Sequence, residues 1–71
     1  MVKIKTDRTK LSEVRIKQGL TCADLAEKAG VARQTISQIE RGVNPGPAVA
    51  KKIVEILNIP FDDIFSIVEG E

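Results

Sequence analysis

Between Cys22 and Arg41 the chain reads CADLAEKAGVARQTISQIER, and small or apolar residues stand only where two short helices would touch. Leu25, Ala26 and Ala29 recur at i, i+1 and i+4, which places them on one face of a first helix, and Ile36 and Ile39 do the same for a second. Gly30 separates the two. A helix that ends and reverses within three or four residues usually needs left-handed backbone angles, and glycine takes these without a Cβ penalty. Ala26, one turn before Gly30, is small enough to let the second helix cross close to the first. The stretch is therefore constrained to a helix, a tight turn and a second helix packed across it.

Projected at about 100° per residue from Arg33, the second helix places Arg33, Gln34, Ser37, Gln38 and Arg41 within an arc of about 140°. Ile36 and Ile39 lie on the other side. The outer arc is made of hydrogen-bond donors and acceptors and holds no Asp or Glu, which phosphates would repel. Arginine can donate two parallel hydrogen bonds to guanine O6 and N7, and glutamine can pair with adenine N6 and N7. An ordinary solvated helix face would also be polar, but the missing acid favours a surface for nucleic acid. The pattern is a helix-turn-helix whose second helix reads bases through Arg33, Gln34, Ser37 and Gln38.

From Leu11 to Phe65 the chain resembles the phage-repressor and Cro type of helix-turn-helix, the XRE family of small regulators. The resemblance rests on Leu11, Val14 and Arg15 with Gly19-Leu20-Thr21, on Leu25-Ala26 and Gly30-Val31, and on Thr35-Ile36-Ser37 with Ile39-Glu40 and Gly42. It continues through Asn44-Pro45 to Leu57, Asp62, Ile64 and Phe65. It implies a compact all-α bundle of five helices, with the second helix at about 22 to 29 and the third, at about 33 to 41, inserted in the major groove. It also implies phosphate contacts from Thr21, Cys22, Thr35, Arg41, Val43 and Asn44, and an ion pair between Arg15 and Glu40. Three positions depart from the pattern. Cys22 stands where family members commonly carry a polar side chain that reaches a phosphate, Ala32 replaces the usual Ser or Thr cap of the third helix, and Val43 stands where many relatives carry a basic residue.

The remaining elements follow from local signals. Residues 8 to 18 read as a first helix with Thr6 or Asp7 as N-cap, and Thr21 with Asp24 reads as a near capping box. Pro47 opens a fourth helix that runs to about Asn58, with Ala50, Ile53, Val54 and Leu57 inside. Phe61, Ile64 and Phe65 are assigned to a short fifth helix. VKIK at 2 to 5 alternates with period two and SIVEG at 66 to 70 is β-prone, so the termini have the pattern of a short two-stranded antiparallel ribbon.

Seventy-one residues are expected to make one domain, residues 1 to 71, near the smallest size that folds without disulfide or metal. The single Cys22 cannot close an internal disulfide, no signal-like apolar segment follows Met1, and no apolar run is long enough to span a membrane. A cytoplasmic location is expected, with no membrane association. Net charge is +1, but residues 1 to 41 carry nine basic and five acidic side chains, whereas residues 42 to 71 carry two and five. The basic half contains the motif.

Histidine is missing, and nothing resembles a catalytic carboxylate pair, a metal-ligand cluster or a phosphate-cradling glycine loop. Neither enzymatic activity nor a cofactor or metal is expected. Two functions differ in class. The first is a sequence-specific regulator of transcription, a repressor or autoregulator, that binds double-stranded DNA with an inverted-repeat operator as a homodimer. The second is a protein-interaction module on the same fold, such as an antitoxin or coactivator. The polar face of the third helix favours the first, because protein interfaces more often present an aromatic or aliphatic anchor. For the dimer, Val49 and Ile56 fall outside the inner stripe of the fourth helix, and Ile64, Ile67 and Val68 are expected to extend that apolar strip across a two-fold axis.

Overall fold

The computed structural model describes residues 2–69. Strand β1 (Val2–Thr6) leads into helices α1 (Arg8–Lys17), α2 (Cys22–Ala29), α3 (Arg33–Glu40) and α4 (Pro47–Leu57). A single 3-10 turn, Phe61–Asp63, then precedes strand β2 (Phe65–Glu69), which pairs antiparallel with β1.

The helix ends follow the capping chemistry. Asp7 caps α1 by accepting from the Lys10 amide at 3.2 Å. Thr21 and Asp24 form a complete capping box: Thr21 Oγ1 accepts from the Asp24 amide and Asp24 Oδ2 from the Thr21 amide, both at 3.0 Å. Hydrogen bonding with Thr21, first with its backbone amide and then with its side chain, holds the Asp24 carboxyl below its ordinary value. Ala32 leaves α3 without a side-chain cap. At Gly30 the backbone is left-handed (φ 72°, ψ 31°), and the Val31 amide reaches back to the Ala26 carbonyl at 3.0 Å, which closes α2 and starts the turn to α3. Asn58 takes the same conformation after α4 (φ 58°, ψ 47°), one of the few non-glycine types that does so readily.

The core is aliphatic apart from Phe65. Leu11 comes from α1, Leu25 and Ala26 from α2, Ile36 and Ile39 from α3, and Ala50, Ile53 and Leu57 from α4. The ribbon adds Ile4 and Phe65, and the Phe61 and Phe65 rings meet at 5.3 Å with a tilt of 41°. Direct cross-strand pairing of Ile4 with Ile67 and of Thr6 with Phe65 sets which ribbon face meets the helices.

The expected five-helix, all-α bundle is corrected in two respects. Among the described residues there are four α-helices, and the expected fifth is one 3-10 turn of three residues. Phe65 is needed in the ladder opposite Thr6, so the chain must become extended before a second helical turn can form. The terminal ribbon is present as a two-stranded sheet.

The apolar strip expected to run from α4 to the C-terminus is also corrected. Ile64 is only 2% exposed and belongs to the core. Val68 pairs with Lys3 on the opposite ribbon face from Ile67, so the two cannot extend one surface. Val49 and Ile56 are half-buried against the core, and Ile56 borders a hollow with Gln18, Leu20 and Lys28, away from Ile67.

Candidate nucleic-acid interface

Burial of Ile36 and Ile39 orients α3, since these two side chains fix which residues of an eight-residue helix can point outward. Arg33, Gln34 and Gln38 are exposed, Thr35 and Ser37 are half-buried, and Arg41 at the C-cap is exposed. The four residues assigned to base reading therefore share the side of α3 turned away from the core.

The one carboxylate of α3 is held away from that face. Glu40 Oε2 accepts from Arg15 Nε at 2.7 Å, while Oε1 accepts from Arg15 Nη2 at 3.2 Å and from Ser12 Oγ at 2.9 Å. Each partner of the ion pair retains 13% side-chain exposure, so both charges are largely out of water. The hydrogen bond to Glu40 raises the Arg15 pKa further above its ordinary value, and the guanidinium also donates Nη1 to the Leu20 carbonyl at 2.8 Å. This fork joins α1 to both the end of α3 and the loop before α2, which sets the angle at which α3 is presented.

A second cation sits at the C-terminal end of α3. Arg8 Nη1 donates to the Arg41 carbonyl at 3.0 Å, and a side chain at Gly42 (φ 112°) would meet that guanidinium nitrogen at 3.4 Å. Arg8 thus covers the negative end of the helix dipole beside Arg41. Arg8 and Ser12 were not among the residues expected in the site. Their partners lie 33 and 28 positions away, and no local pattern announces such contacts.

The expected phosphate group divides. Thr21 Oγ1 accepts within its own capping box and still has a hydroxyl proton to donate, while the Cys22 and Ala23 amides at the start of α2 have no intrahelical acceptor. Cys22 is a free, half-buried thiol. The phosphate contact expected of Val43 is corrected: with an apolar side chain only its amide could make it, and that amide donates to the Gln38 carbonyl at 2.9 Å and closes α3. The Asn44 amide has no such internal acceptor among the described residues. No three His, Cys, Asp or Glu side chains among these residues are grouped to hold a metal ion, and no helix is long and apolar enough to cross a membrane.

Comparison with known proteins places this geometry. A profile of the helix-turn-helix family matches residues 11–64. An uncharacterized HTH-type transcriptional regulator from Archaeoglobus fulgidus is 42% identical over 59 residues, covering 82% of this chain and 84% of that protein. The crystal structure of SinR, the master regulator for biofilm formation, in complex with DNA is similar with a TM-score of 0.71 and 32% identity, covering 78% of this chain and 90% of that one. The transcriptional regulator VanUg is similar over 96% of this chain and 91% of its own, with a TM-score of 0.73 and 25% identity. The capped α2, the Gly30 turn, the oriented α3 and the match across residues 11–64 lead to one conclusion: the chain belongs to the XRE-type helix-turn-helix family.

Proposed function

We propose that this protein is a sequence-specific regulator of transcription, a repressor or autoregulator, that places α3 in the major groove of double-stranded DNA. The observation that carries this reading is the acid-free outer side of α3, where Arg33, Gln34 and Gln38 are exposed while Glu40 is clamped by Arg15 and Ser12. Similarity to SinR, whose crystal structure includes DNA, supports it. Arg33, Gln34, Ser37 and Gln38 read base edges. Phosphates are held by Arg41, Thr21, Thr35 and the amides of Cys22 and Asn44.

The protein acts in the cytoplasm as a homodimer. One helix of this length reads only a few base pairs, and a two-fold dimer doubles the site into an inverted repeat with half-site centres about 10 base pairs apart.

Fluorescence anisotropy with a duplex selected from random DNA, compared with unselected duplex, tests the assignment. Gln34→Ala and Gln38→Ala should each weaken the selected duplex by about 1 to 3 kcal/mol with little change on unselected DNA. Arg41→Ala should weaken both and flatten the salt dependence. Equal losses on both duplexes for the two glutamine variants would overturn the division into base and phosphate contacts.

A further inference from the structure

An apolar groove of about 470 Å³ lies between the terminal ribbon and α4, floored by Ile4, Pro47, Val54, Phe61 and Ile67. Ile67 is 65% exposed although its cross-strand partner Ile4 is 8% exposed, and Val2, on the same ribbon face, is 60% exposed. The ribbon therefore covers the bundle with one half of its inner face and leaves the other half open to water.

The border of this groove is charged in a specific order. Lys51 and Glu55 both line it, one helical turn apart on the same side of α4. Neither makes an ion pair among the described residues. A two-fold axis passing beside α4, perpendicular to it and level with the midpoint of these positions, brings each Lys51 to the Glu55 of a second copy, because in an isologous interface the contact of i with j is repeated as j with i. Because an isologous interface joins the same patch on both copies, the same operation sets the two grooves, with their open ribbon ends carrying Ile67 and Val2, face to face.

We propose that this groove is the self-association surface of the protein, that its occupant is a second copy of this chain, and that two Lys51–Glu55 pairs across the axis set the register. The surface lies on the opposite flank of α4 from Val49 and Ile56. Projected from Pro47, Lys51 and Glu55 fall at about 40° and 80° and Val49 and Ile56 at about 200° and 180°. The inference rests on the homodimer reading and names the surface that reading requires.

Charge exchange tests it. Lys51→Glu and Glu55→Lys each oppose like charges twice across the axis, and each should raise the dimer dissociation constant about tenfold or more in sedimentation equilibrium. Mixing the two variants restores opposite charges at both contacts, as does the double substitution in one chain, so both preparations should regain the wild-type dimer. Ile67→Asp should be monomeric and should not be rescued by mixing. Circular dichroism melting establishes that each variant is folded, and recovery on mixing is itself open only to folded chains. A wild-type protein that stays monomeric, both free and on DNA, would overturn the dimer and this surface together. A wild-type dimer that neither single variant weakens would overturn this surface alone, and so would weakened variants that mixing fails to restore.

Discussion

Arg15 and Glu40 are the residues through which the orientation of α3 depends on distant parts of the chain. With both side chains 13% exposed, neither charge retains enough water to stand alone. Replacing Arg15 by Met, or Glu40 by Gln, should each cost about 3 kcal/mol, because the partner is left largely buried without its counter-charge. The double variant should recover part of that loss. Urea unfolding of the four proteins measures the coupling, and strict additivity would show that the two side chains do not act together. Asp24 contributes in a different way, through its bonds to Thr21. Because its pKa is lower in the folded protein than in the unfolded chain, its contribution is complete above the ordinary carboxylate value of about 4 and is lost as pH falls through the depressed folded value. The thermal advantage of wild type over Asp24→Ala should therefore be constant from neutral pH to about pH 5 and shrink below about pH 4. A difference independent of pH down to the acid limit would contradict the capping role of the charged form.

Among the elements, α3 begins without a side-chain cap, since Ala32 has the extended backbone of an N-cap (φ −70°, ψ 146°) and no side-chain oxygen to use it. Ala32→Ser should stabilise the protein by about 1 kcal/mol in thermal or urea unfolding, and a neutral or destabilising result would show that the first amides of α3 are already satisfied. Elements with strong local signals were legible from sequence. Thr21 with Asp24, Gly30, and Pro47 each state a helix boundary in their own chemistry, and the α2, α3 and α4 limits lie within a residue or two of the expected ones. Phe61 to Phe65 misled, because Phe61, Ile64 and Phe65 have helical spacing while Phe65 is needed opposite Thr6 in a ladder nearly sixty residues away along the chain. Short apolar runs carry both periods at once, and only the tertiary pairing decides between them.

At the level of the whole molecule, the outward side of α3 could be read from sequence because two buried isoleucines fix the rotation of a short helix. The surfaces formed by several elements could not. Arg8 beside Arg41 and Ser12 beside Glu40 arise from packing α1 across the end of α3, and the open groove arises from a ribbon that joins the two ends of the chain. The same gap explains why Ile64 was expected at a subunit surface and is found in the core. In the proposed function the outer side of α3, with its flanking cations, binds duplex DNA through bases and phosphates together. Its most direct test is the affinity for a selected duplex and for random duplex as a function of salt. Log K should fall linearly with log salt on both, by about 0.9 per phosphate contact, with the selected duplex bound more tightly at every salt concentration. No binding to either duplex at low salt, or binding that is insensitive to salt and identical on both, would contradict it.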